Sequence, residues 1–173
     1  MRIVGGKFAG RDLTSPNDFR VRPTAEPVRV AMMKLLRHDL DGARVIDLFA
    51  GTGAIGLEAL SRGAKYVDFV EFRPASLHAL KANIAALRVN EKVRVYKKDA
   101  LPFADALPPD RYDLAFADPP YESRMLDRLI ERWQQAPWSK ILVVEHARTH
   151  QLPRAAHHVV LEESAVSVYR TSL

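Results

Sequence analysis

The sequence predicts an α/β fold in which helices cover both faces of a mostly parallel β-sheet. Short apolar runs alternate with helical segments along most of the chain, as strands and crossover helices do. A glycine-rich turn follows the first run, and acidic residues end several of the others. Together these features are typical of parallel sheets that bind a ligand at the carboxyl ends of their strands.

The composition indicates one intracellular domain. With 173 residues, 47% of them hydrophobic, residues 1–173 can form a single full core. The absence of cysteine excludes disulfides, thiolate zinc ligands and a cysteine nucleophile. No segment approaches the ~20 apolar residues of a membrane helix, and the histidines are scattered. We therefore expect a cytoplasmic monomer without a metal or a membrane contact.

The positive charge is concentrated at the N-terminus. Residues 1–37 contain eight basic and three acidic side chains, which accounts for the whole net charge of +5. We divide the chain into a basic hairpin or loop extension, 1–24, and a core, 25–173. Such an extension favours a polyanionic partner, with a solubilising surface as the alternative. The expected phosphate contacts are Arg2, Lys7, Arg11, Arg20 and Arg22.

The first helix is predicted to begin after Thr24, which can serve as its N-cap, and to extend over 25–37. Pro27 is tolerated because it falls in the first turn. Apolar residues on one stripe predict the buried face, and the basic residues Arg29, Lys34 and Arg37 are expected to face solvent or phosphate.

The remaining elements follow in regular alternation. Apolar runs predict strands, and residues with a helical spacing of apolar positions predict helices. The last two runs are separated by a short polar turn, which predicts an antiparallel hairpin. The predicted strands are 45–48, 66–70, 93–96, 112–117, 141–145, 158–161 and 165–169, and the predicted helices are 54–60, 74–87 and 124–135.

The glycine turn at Gly51 and Gly53 connects the first strand to a helix, where free N–H groups can meet a ligand. With Gly56 it also fits the dinucleotide fingerprint G-x-G-x-x-G. Asp47, at the strand end, would face a pyrophosphate unfavourably but would attract the ammonium group of S-adenosylmethionine. The candidates for cofactor binding in this segment are Asp47, Phe49, Gly51, Thr52 and Gly53.

Two further acids extend the predicted cofactor site. Glu71 ends the second strand and is placed to accept hydrogen bonds from a ribose diol, with an ordinary surface glutamate as the alternative. Asp99, followed by Ala100, can accept from the adenine amino group, although Asp-Ala also serves as a helix cap. With Asp47 and Asp118, these acids predict four carboxylates along one rim.

The segment Asp118-Pro119-Pro120-Tyr121 predicts the catalytic site. Two prolines lack N–H groups and fix φ, so the Asp118 carboxylate and the Pro119 carbonyl can act as a stiff pair of acceptors. Such a pair suits an exocyclic amine, whose two hydrogens need two acceptors. Tyr121 is positioned to stack on a base. The alternative is a tight turn after a strand.

These motifs resemble those of the bacterial 16S rRNA guanine-N2 methyltransferases, and the resemblance covers nearly the whole chain. The N-terminal motifs narrow the resemblance to this family, because the tetrapeptide Asp118 to Tyr121 alone is shared with adenine-N6 and glutamine methyltransferases. The chain differs from the family pattern in the first helix, at Glu26-Pro27-Val28 and Lys34. The residues that carry the resemblance are Arg2-Ile3-Val4-Gly5-Gly6, Gly10-Arg11, Arg22-Pro23-Thr24, Asp47 to Gly53, Gly56 to Ala64 and Asp118 to Tyr121.

The resemblance implies a Rossmann-like class I methyltransferase that uses S-adenosyl-L-methionine. It implies catalytic residues at Asp118, Pro119, Pro120 and Tyr121, and a basic N-terminal extension that approaches 16S rRNA or a small-subunit particle. Two alternatives remain at this point: an adenine-N6 DNA methyltransferase and a nucleotide- or RNA-binding module without catalysis.

Overall fold

The computed structural model describes residues 1–17, 23–120 and 124–171. Within them, a sheet of seven strands has the order β3-β2-β1-β4-β5-β7-β6. The helices are α1 (Glu26–Leu35), α2 (Ala54–Ser61), α3 (Pro74–Leu87), α4 (Ala100–Asp105) and α5 (Met125–Gln135). The strands are β1 (Arg44–Leu48), β2 (Tyr66–Val70), β3 (Val93–Tyr96), β4 (Tyr112–Ala117), β5 (Ser139–His146), β6 (His157–Val160) and β7 (Ala165–Arg170).

The five strands from β1 to β5 pair in parallel, whereas β7 pairs antiparallel with both β5 and β6. The predicted α/β fold with a C-terminal antiparallel hairpin is thus confirmed. Leu48, the last residue of β1, lies opposite Val70 of β2 and Ala117 of β4. The chain segments that follow these three strands therefore leave the sheet at the same rim.

Two apolar clusters fill the two faces of the sheet. One joins α1, α2 and α3 to the sheet, with Met32, Leu57 and Leu80 fully or almost fully buried. The other joins α4 and α5 to the opposite face through residues such as Ala104 and Ile130. Helices therefore cover both faces, as the sequence predicts. Among the described residues, no helix is both long and apolar enough to cross a bilayer.

The first helix differs from its prediction. It spans Glu26–Leu35, its N-cap is Ala25, and no side chain caps it. The prediction that Thr24 caps this helix is therefore wrong. Arg29, expected at the surface, is 1% exposed. It donates hydrogen bonds to the carbonyl oxygens of Arg2 and Thr24, and its Nε lies 3.8 Å from Glu58.

A buried glutamate connects the N-terminal segment to the core. Glu58 of α2, with no exposed surface, accepts hydrogen bonds from the N–H groups of Val4 and Gly5. Ile3 and Leu13 join the apolar cluster under α1, and one antiparallel bridge, Arg2 to Asp12, takes the place of a regular hairpin. The segment is therefore packed against the core.

Candidate active site

A cavity of about 460 Å³ opens at the rim where the parallel strands end. It lies at the carboxyl ends of the neighbouring strands β1 and β4, where the strand order of the sheet reverses direction. Ligands of α/β folds bind at such a position. Most of the predicted cofactor-binding and catalytic residues line it. They are Phe49, Gly51, Glu71, Asp99 and Ala100 from the predicted cofactor set and Asp118, Pro119 and Pro120 from the predicted catalytic set.

The glycine turn has one open and one packed glycine. Gly51 has a φ of 57°, and a Cβ there would meet nothing within 4 Å, so its backbone faces open space. Gly53 has a φ of 84° and is the N-cap of α2, and a Cβ there would overlap Leu80. Thr52 is 3% exposed. Gly53 and Thr52 do not line the cavity, so they support the turn from the side that packs against the core.

Asp47 lies beneath the turn. It is 2% exposed, and its Oδ2 accepts a hydrogen bond of 3.0 Å from the N–H of Gly56. Burial raises the pKa of Asp47, while the Gly56 hydrogen bond opposes that shift. Asp47 is not among the cavity-lining residues, and its contact with an ammonium group stays a prediction. The observed hydrogen bond links β1 to the first turn of α2.

Glu71 is held rigidly at the cavity wall. Its Oε1 accepts from Gly51 N at 2.9 Å, and its Oε2 accepts from Phe72 N at 2.7 Å and Arg73 N at 2.8 Å. The residue is 8% exposed, which does not fit a solvated surface glutamate. Since a carboxylate offers about four acceptor positions, it can accept one more hydrogen bond from a ligand.

Asp99 occupies the N-cap position of α4 without making a side-chain cap hydrogen bond. Its side chain is exposed and lines the cavity next to Ala100. Phe49, with a φ of 57°, lies on the same wall. The carboxylate of Asp99 is thus available to a donor on a ligand.

Asp118 lies at the end of β4, where its Oδ2 accepts a hydrogen bond of 2.8 Å from the hydroxyl of Thr24. The side chain of Glu145, on the neighbouring strand, lies close to that of Asp118. Burial and the adjacent Glu145 together hold the pKa of Asp118 well above its usual range. Thr24 therefore contacts the predicted catalytic aspartate rather than its own helix. Tyr121 lies outside the described residues.

Of the cavity-lining residues that the sequence analysis missed, Glu145 and Phe72 are the two with a clear chemical role. Glu145, 3% exposed, lies at the end of β5 and contributes to the cavity wall. The predicted strand 141–145 already ended on this acid, which was the available signal. Phe72 is 53% exposed although it is a large apolar side chain, and it lines the cavity next to Glu71. An aromatic residue directly after the second strand was the signal there.

The predicted phosphate contacts fall into two groups. Arg2, Lys7 and Arg11 have exposed side chains, and Arg11 donates to the carbonyl of Ala86 at 2.8 Å. Arg20 and Arg22 lie outside the described residues. In the described part of the chain, no group of three or more His, Cys, Asp or Glu residues has the arrangement of a metal site.

The sheet combines this strand order with a glycine turn after β1, an acid after β2 and a cavity where the order reverses between β1 and β4. These features define a Rossmann-like methyltransferase fold. Residues 1–167 match the family described as Conserved hypothetical protein 95, and the chain belongs to that family.

Curated relatives in this family carry methyltransferase names. The chain is 32% identical to the putative rRNA methyltransferase YlbH of Bacillus subtilis, over 93% of this chain and 90% of that protein. It is 33% identical to the ribosomal RNA small subunit methyltransferase D of Escherichia coli K12, over 88% of this chain and 78% of that protein.

Solved structures agree with this relationship. The putative methyltransferase yhhF from Escherichia coli superimposes with a TM-score of 0.84 at 30% identity, over 98% of this chain and 97% of that one. An RNA methyltransferase from Salinibacter ruber, solved in complex with S-adenosyl-L-homocysteine, shares the fold with a TM-score of 0.68 at 17% identity, over 86% and 93%.

Proposed function

We propose that this protein is an S-adenosyl-L-methionine-dependent methyltransferase that modifies the exocyclic N2 amine of a guanine in 16S rRNA. The observation that carries the proposal is that residues from both predicted sets line one cavity, with Glu71 from the cofactor set and Asp118 from the catalytic set. The rRNA methyltransferase names of the curated relatives support the substrate class.

The cofactor end is formed by the segments after β1, β2 and β3. The open backbone at Gly51 can approach the amino-acid part of the cofactor, and the fixed carboxylate of Glu71 accepts from the ribose diol. The exposed ring of Phe72 offers an apolar surface for the adenine, and Asp99 accepts from its amino group. S-adenosyl-L-methionine supplies an electrophilic methyl group on sulfur when bound.

At the substrate end, Asp118 and the Pro119 carbonyl accept the two amine hydrogens. Held in this way, the nitrogen can turn its lone pair away from the guanine ring and towards the methyl carbon. When bound, S-adenosyl-L-methionine would supply the methyl group to this nitrogen, and the Asp118 carboxylate would take up the proton that the amine gives up. The stiff Pro119-Pro120 backbone keeps the acceptors in place, which is how positioning lowers the barrier. Tyr121 stacks on the base.

RNA is held by the basic N-terminal segment in this proposal. Arg2, Lys7 and Arg11 are exposed on a segment that is fixed to the core, so they can contact phosphates without first being ordered. Arg20 and Arg22 belong to the same proposed contact set. The substrate is naked 16S rRNA or a small-subunit particle.

Methyl transfer should be measured on 16S rRNA, on small-subunit particles and on duplex DNA, with the modified nucleosides identified by mass spectrometry. We expect N2-methylguanosine from RNA only, and at least about a hundredfold loss in Asp118→Ala. Glu91→Ala, at an exposed position before β3, is the control and should keep full activity. N6-methyladenine in DNA would establish the alternative enzyme, and RNA binding without any methyl transfer would establish the non-catalytic module.

A further inference from the structure

We infer that Glu145 is a positioning residue, which shares one proton with Asp118 and so fixes the carboxylate that accepts the amine hydrogens. The inference rests on the proposed function, because it assigns a role to a residue of the same cavity. The evidence for this role is the proximity of two acids on neighbouring strands, which the proposed function does not use.

The sheet brings the two acids together. Strands β4 and β5 are parallel neighbours in which Ala117 lies opposite Val144, so Asp118 and Glu145 are the next residues along each strand. Both side chains line the cavity, and Glu145 is close enough to Asp118 to raise the pKa of that aspartate. Two ionised carboxylates act only as acceptors and repel each other, so an adjacent pair of this kind is stabilised when one of the two carries a proton.

The surroundings favour keeping that proton. The acid Asp47 of β1 acts electrostatically on Asp118, Glu71 and Asp99 line the same cavity, and His146 follows Glu145 on β5. The antiparallel partner of Glu145 in β7 is the uncharged Val166. Among the described residues that line the cavity, two are cations, Arg73 and Lys98, and four are acids. A second negative charge on the pair would therefore be repelled.

The shared proton determines how Asp118 meets the substrate. Thr24 donates to Oδ2 of Asp118, and the proton of the pair supplies a second hydrogen bond from the direction of Glu145. Two hydrogen bonds from different elements would hold the carboxyl group in one orientation. If the proton is lost, the pair carries two negative charges that repel each other, and two carboxylates compete for the amine hydrogens.

Glu145→Gln and Glu145→Ala separate this role from simple packing, because a Gln amide can donate to Asp118 at every pH whereas Ala cannot. We expect Glu145→Gln to keep kcat within about threefold of the wild type at neutral pH, and Glu145→Ala to lose at least about tenfold, with little change in KM for the cofactor. The wild type should lose kcat as the pH rises, and Glu145→Gln should lose much less. Glu91→Gln, the same change at an exposed site, should follow the wild type throughout.

A second measurement does not depend on activity. The folded protein holds a proton that the unfolded chain releases, so the melting temperature of the wild type should fall as the pH rises, and that fall should be smaller in Glu145→Gln. Equal losses of kcat in the Gln and Ala variants, or identical pH dependence of melting in the wild type and Glu145→Gln, would overturn the inference. A wild type that methylates neither RNA nor DNA would refute the proposed function, while the melting experiment would still decide whether the proton is shared.

Discussion

Replacing Glu58 with alanine tests how firmly the N-terminal segment is fixed to the core. The buried carboxylate accepts the N–H groups of Val4 and Gly5, and it lies 3.1 Å from Arg62 and 3.8 Å from Arg29. Arg29 is 1% exposed, and burial already lowers its pKa while Glu58 opposes that shift. Removing the carboxylate therefore leaves a buried cation without its counter-charge.

The expected loss is large. Removing one partner of a buried ion pair costs about 3–5 kcal/mol, and we expect Glu58→Ala to lower the free energy of unfolding by this amount. Since a domain is typically stable by only about 5–15 kcal/mol, the loss is a substantial part of the total. Glu58→Gln keeps one acceptor oxygen and should lose less, about 2–3 kcal/mol.

Urea unfolding followed by circular dichroism measures both losses in free energy. Glu131→Gln, at an exposed position of α5, is the control and should change stability by less than about 0.5 kcal/mol. Hydrogen exchange at the amides of Val4 and Gly5 should become faster in the Glu58 variants than in the control. A loss below about 1 kcal/mol in Glu58→Ala, with unchanged exchange at these amides, would refute the argument.

Four further outcomes are expected. Thr24→Val should lower kcat about tenfold, whereas Thr24→Ser, which keeps the hydroxyl that donates to Asp118, should retain most activity; equal losses would contradict this. Glu71→Gln should weaken binding of S-adenosyl-L-homocysteine roughly tenfold by calorimetry, because it removes a charged acceptor. Hydrogen bonds from Arg44 outweigh burial and lower the pKa of Asp113 from 3.8 to about 2, so the folded state favours the ionised form. Asp113→Asn should therefore lower the free energy of unfolding by about 1–2 kcal/mol at neutral pH. Urea titrations should show that this difference disappears as the pH falls from about 4 to about 2. Replacing three basic residues with glutamine should reduce the log–log salt slope of RNA binding by up to about 0.7 per residue in filter binding, and an unchanged slope would exclude them; the residues are Arg2, Lys7 and Arg11.

The fold could be predicted from the sequence because its signals are local. Buried parallel strands are continuous apolar runs, and the segment Tyr66–Val70 has the same bounds in the prediction and in the structure. Pro74 likewise begins α3 where a proline at the first helical position is expected. The short α4 was not predicted, since six residues give too little periodicity to recognise.

The candidate site was predicted where a residue follows its own strand, and missed where two distant segments meet. Asp118 could be placed from the apolar run before it, but nothing near Thr24 shows that its hydroxyl reaches across to that acid. An arginine three residues into a helix is usually solvated, and the burial of Arg29 depends on Glu58, which is distant in sequence. Capping and exposure rules describe one element at a time, so contacts between elements lie beyond them.

The two contacts that sequence reasoning missed lie at the two ends of one segment. At its start, the backbone of Val4 and Gly5 is held by Glu58; at its end, Thr24 is held by Asp118. Arg29 binds both ends through the carbonyl oxygens of Arg2 and Thr24. The described basic side chains of this segment, Arg2, Lys7 and Arg11, therefore lie on a part of the chain that is anchored to the core. Deleting the segment would therefore remove the proposed RNA contacts, core residues and the Thr24 hydrogen bond together, so single substitutions are needed to separate these roles.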